Sequence, residues 1–125
     1  MDHENKAEMN ADFFRGVLLK VAFKPEPLRR AQAALLYVAL EGKTFTADVL
    51  PGEITGGDTT LAGCAVGSLA TMRLIERVER VKSPAKSRNG AWVNVWRLAS
   101  GRVETVKTWL GRQGFAVDQV QGWLL

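Results

Sequence analysis

A chain of 125 residues with 46% apolar and 24% charged side chains has the size and composition of one ordinary globular domain with a single core. No apolar run approaches the roughly 20 residues that span a bilayer, the polar and acidic start MDHENKAEMNAD lacks the pattern of a secretory signal, and the lone cysteine, Cys64, makes no internal disulfide; these exclude a membrane partner and point to a reducing cytoplasm. The net charge of +4 is unevenly placed: residues 73–102 hold Arg73, Arg77, Arg80, Lys82, Lys86, Arg88, Arg97 and Arg102 against only Glu76 and Glu79, so a polyanion is the natural partner, with a solvated hairpin as the plain alternative.

Asp12 can cap a first helix, in which Phe13, Phe14, Val17, Leu18 and Val21 recur at three- and four-residue steps. Lys24-Pro25-Glu26-Pro27 interrupts it, because proline lacks the amide hydrogen and drives its predecessor out of helical geometry. Pro27 suits the first turn of a second helix over 28–41, whose apolar stripe includes Leu28, Ala31, Leu35, Leu36 and Ala39 and which Gly42 can end. Thr46 can cap a helix of barely one turn before Pro51. Gly52-Glu-Ile-Thr-Gly-Gly57 has the glycines of a phosphate-binding loop but not its lysine, and is assigned as a turn. After capping residues at 58–60, a third helix over 61–73 turns Leu61, Ala65, Leu69 and Met72 inward. Two strands over 74–82 and 91–98 flank a protruding loop in which Asn89-Gly90 is a turn signal. A last helix over 101–113 has Val103, Val106, Trp109 and Leu110 on one side and stops at Gly114. The apolar tail beyond it, with Trp123, Leu124 and Leu125, is suited to docking on this core or a neighbour's. The single domain thus divides into a tail and helix over 1–27, a core over 28–99, and a helix with tail over 100–125.

This order of elements, the junction Leu69-Ala-Thr-Met-Arg-Leu-Ile-Glu76 and the strand end Trp96-Arg97-Leu98 resemble the winged helix-turn-helix superfamily over residues 28–98. The resemblance implies an α+β fold, a three-helix core plus a two-stranded wing with flanking N- and C-terminal helices, in which Trp96 and Leu98 face the core. It implies a DNA-binding protein, a small transcriptional regulator or a phage or mobile-element protein, with the third helix in the major groove and a wing over 82–90 against the backbone or minor groove of double-stranded DNA. Two departures stand out. The junction often carries glycine where Arg73 stands, and the family's third helix usually offers more polar or basic side chains.

The candidate phosphate contacts in the wing are Lys82, Lys86 and Arg88, flanked by Ser83 and Ser87 as neutral donors. Those in the third helix and its junction are Thr59, Thr60, Gly63, Gly67, Thr71 and Arg73. At about 100° per residue the outward face is Thr60, Gly63, Gly67, Ala70 and Thr71, with no charge, so it can discriminate few bases and affinity falls to the wing. The same smooth strip suits another helix, in this chain or a partner, which keeps a non-enzymatic protein–protein interaction module as the alternative. Glu76 and Glu79 can neutralise some of Arg73, Arg77 and Arg80. Trp92 can stack on a base or sugar, although an aromatic at a strand start is more commonly a packed anchor. Cys64 is expected to behave as a small buried apolar residue. With one histidine, His3, in the N-terminal tail, no cofactor, metal site or catalytic activity is expected. The amphipathic segments over 12–23 and 101–125 are candidates for a homodimer interface.

Overall fold

The computed structural model describes residues 11–82 and 91–117. They form an α+β arrangement of five α-helices and one two-stranded antiparallel sheet: α1 (Ala11–Val21), α2 (Pro27–Leu40), α3 (Gly52–Thr55), α4 (Thr59–Thr71), β1 (Ile75–Lys82), β2 (Trp92–Leu98) and α5 (Val103–Arg112), with a short 3-10 turn over Ala47–Val49. Among the described residues no helix is long and apolar enough to cross a membrane.

The core is built around α2. Every residue over 31–39 is buried, so the helix needs neighbours on all sides rather than along the single stripe expected from its pattern. α1, α3, α4, α5 and β2 supply them, and Ala31, Ala33, Ala34 and Ala39 are small enough to let them come close. Leu28, expected inward, is exposed in the first turn. Leu35 and Leu36 are fully enclosed, and truncating either to alanine costs about 2–5 kcal/mol at such sites.

Helix ends follow local chemistry. Pro27 occupies the first turn of α2, and Gly42 and Gly114 take the left-handed conformations, φ 81° and 86°, that stop α2 and α5. Thr46 caps the 3-10 turn, its hydroxyl accepting from the Asp48 amide at 3.2 Å. Asp12 is not a cap; it lies inside α1 and accepts from Arg15 at 2.8 Å. The segment assigned as a turn over 52–57 instead makes one helical turn, α3, because Ile54 is drawn fully into the core. Gly56 and Gly57 then reverse the chain at φ 68° and 82°. Asp58 caps α4, accepting from the Thr60 amide at 3.0 Å and its hydroxyl at 2.6 Å, so the helix opens at Thr59, ahead of the expected start.

The second edge of β2 is paired too. Phe45 and Trp96 exchange backbone hydrogen bonds of 2.9 and 2.7 Å, and the Phe45 side chain is buried. Trp96 and Leu98 pack against the core, as their positions in the sequence suggest. At the other end Phe115 is buried, Val117 packs beside it, and the Tyr37 hydroxyl donates to the Ala116 carbonyl at 2.6 Å, so the chain after α5 closes its own core. Trp123, Leu124 and Leu125 lie outside the described residues. Val17 and Val21 of α1 and Val106 and Leu110 of α5 also point into this core, which leaves Leu19, Phe23 and Val103 as the large apolar groups exposed among the described residues of these segments.

Candidate nucleic-acid interface

On α4 the buried residues are Ala62, Ala65, Val66 and Leu69, while Thr60, Gly63, Cys64, Gly67 and Thr71 are exposed. Among the described residues the strip through Gly63 and Gly67 is open: a Cβ at either position would meet none of their atoms within 4 Å. No described element of the chain packs on this strip. Two residues depart from the helix face assigned to them. Met72 is 39% exposed, and Ala70, assigned to the outer face, is half-buried against the core.

A polar contact missed in the sequence explains that rotation. Gln32 of α2, only 3% exposed, donates to Ser68 Oγ at 2.7 Å; Ser68 donates to the Ala65 carbonyl at 2.8 Å, and Arg29 donates to Gln32 Oε1 at 2.8 Å. Ser68 is thus pinned toward α2, and the inward face centres on Ala62, Ala65, Val66 and Leu69, with Leu61 at its edge and Met72 outside it. The available signal was a glutamine inside an apolar helix, which needs a partner when buried. Cys64 is exposed, contrary to the expectation of a buried residue, because it lies on the opposite side from Ala65 and Leu69.

The outward hydroxyls are partly engaged. Thr60 donates to Asp58, and Thr71 donates to the Gly67 carbonyl at 2.9 Å, leaving chiefly acceptor capacity toward solvent. The Thr60 hydroxyl, then the Thr60 and Leu61 amides, hold the Asp58 carboxyl below the usual carboxylate range. Arg73 stands at φ 61°, the left-handed position after the helix, where its amide donates to Ala70 at 2.9 Å and Leu74's to Leu69 at 3.0 Å. This is the two-bond helix stop that glycine normally makes, and here an arginine makes it.

The hairpin sorts its charges by face. Alternation along β2 puts Trp92, Asn94, Trp96 and Leu98 on one side, and their partners across the ladder are Lys82, Arg80, Arg77 and Ile75. The inner end of this face, Ile75, Trp96 and Leu98, meets the core; the outer end presents exposed Arg77, Arg80, Lys82 and Trp92. No carboxylate of either strand shares it. Glu76 and Glu79 pair with Arg97 and Val95 on the opposite face. Plain alternation would point Arg77 and Arg80 in opposite directions. The irregularity between Arg77 and Glu79, which leaves Val78 without a partner, re-aims the strand and gathers the three cations.

Glu76 neutralises neither Arg73, Arg77 nor Arg80. It accepts from Arg97 Nε at 2.7 Å and the Ser100 amide at 3.4 Å, and these bonds, Arg97's first, hold its carboxyl below the usual range. Trp92 is 57% exposed and is not a packed anchor; the Lys82 ammonium stands 5.9 Å from its ring centre. Of the wing residues singled out in the sequence, Lys82 ends β1 and is exposed, whereas Ser83, Lys86, Ser87 and Arg88 lie outside the described residues. Among the described residues no group of three or more His, Cys, Asp or Glu converges to hold a metal. Comparison with protein-family models, curated proteins and solved structures finds no match.

Proposed function

We propose that this chain is a winged helix-turn-helix domain that binds double-stranded DNA without catalysis, serving as a small transcriptional regulator or as a phage or mobile-element protein. The order of helices and strands is compatible with that layout, although the short helix expected after Thr46 is a 3-10 turn and α3 falls where a turn was expected; the observation that carries the DNA reading is the hairpin face holding Arg77, Arg80 and Lys82 with no carboxylate. Phosphates recur along a duplex, and cations on one surface neutralise several at once. The open strip of α4 admits a groove wall closely at Gly63 and Gly67 but offers few donors, so binding rests on the backbone and selects sequence weakly.

A gel-shift titration on random and genomic duplexes at two salt concentrations tests this reading. Both duplexes shift at low salt, both shifts weaken steeply at higher salt, and the preference between them is small. No shift at low salt contradicts it.

The open glycine strip also favours a second reading, a protein-interaction module that receives a partner helix there. Gly67→Leu separates the two. A leucine in the strip weakens DNA binding under the first reading; under the second it abolishes association with protein and leaves DNA affinity unchanged.

A further inference from the structure

Of the tryptophans at 92, 96 and 109, Trp96 and Trp109 pack against the core and Trp92 does not. Trp92 is exposed on the cationic face, in register with Lys82 and beside Asn94 and Arg80. A surface built for phosphates alone needs no indole. A base pair inside a duplex hides its faces in the stack, so a tryptophan on the protein surface gains a stacking partner only where a base is unpaired. We infer that the outer hairpin face binds single-stranded DNA, with an unpaired base stacked on Trp92 and the adjoining phosphates held by Arg80 and Lys82. The Lys82 ammonium lies over the indole, 5.9 Å from the ring centre; a base that stacks on that face displaces it, and the flexible lysine stem then carries the ammonium to the adjoining phosphate. Asn94, half-buried on the same face next to Trp92 and Trp96, offers an amide to a base edge. The inference rests on the nucleic-acid reading of the hairpin and adds single-stranded DNA to the duplex as a ligand of the same face.

Fluorescence anisotropy with a labelled oligothymidine and a labelled random duplex of the same length tests it on the full chain. Trp92→Ala lowers oligothymidine affinity by about fivefold or more and leaves duplex affinity within about twofold, since stacking on one aromatic is worth that much per base. Trp92→Phe keeps a π face and recovers most of the loss, which also guards against a folding defect in the alanine variant. Equal loss toward both DNAs, or no loss toward either, overturns the inference. Oligothymidine binding that depends on Trp92 without duplex binding supports it while removing the duplex reading above. Duplex binding with no oligothymidine binding overturns it and leaves that reading intact.

Discussion

Arg73 holds a conformation that costs a residue with a Cβ about 1–2 kcal/mol, at a position where glycine would make the same two hydrogen bonds. Under the DNA reading, an arginine kept at this strained position serves through its side chain. Arg73→Gly is expected to raise stability by about 1 kcal/mol in denaturant unfolding and at the same time weaken DNA binding. Asp58 gives a pH signature. Its carboxyl is lowered on folding, so its contribution is complete above the unfolded value and drains as pH falls through the folded one; Glu76 acts in the same direction. The urea midpoint therefore declines on acidification through the carboxylate range, and Asp58→Asn with Glu76→Gln makes that decline shallower. Caps and stops such as Thr46, Gly42 and Gly114 were legible because their chemistry is local to a few residues. The exposure of Trp92 and Cys64 was not, because it depends on which elements arrive on each side.

At the scale of the element, α4 holds two exposed glycines that no contact among the described residues requires. Alanine in a helix interior is more favourable than glycine by about 1 kcal/mol, and a Cβ here meets open space, so Gly63→Ala and Gly67→Ala each stabilise by up to that amount. If the strip lies against DNA, the same two variants bind it more weakly, which anisotropy titration reads beside the unfolding curve. The rotation of α4 comes from the buried Gln32–Ser68 contact. Ser68→Ala strands the Gln32 amide in the core and costs about 1–3 kcal/mol, whereas adding Gln32→Leu returns most of that loss, as a double-mutant cycle measures. The existence and order of the helices and strands were legible from periodicity, proline and glycine. The turn of α4 about its axis was not: leucine and methionine dominate a pattern drawn from sequence, while two helices that approach through alanine and serine set the actual contact. The helical turn α3 was hidden for a similar reason, its glycines outweighing the one buried Ile54.

For the whole molecule, the fold gathers around α2, and its charge is arranged by the sheet rather than by the chain order. Eight cations over 73–102 were visible in the sequence. Which of them act together was not, because the irregularity at Val78 reverses the faces that simple alternation assigns, and Glu76 turns away to Arg97. That division predicts unequal effects from cations that look alike in sequence. Arg97→Gln, on the acidic face and bonded to Glu76, is expected to leave DNA affinity nearly unchanged. The most direct measurement is the dependence of log affinity on log salt for a random duplex, compared between the wild type, Arg97→Gln, and the triple variant Arg77→Ala, Arg80→Ala, Lys82→Ala. The triple variant flattens the slope by up to about 3 units if each cation meets one phosphate, while Arg97→Gln keeps the wild-type slope. A triple variant with the wild-type slope and affinity would contradict the assignment of this face to DNA.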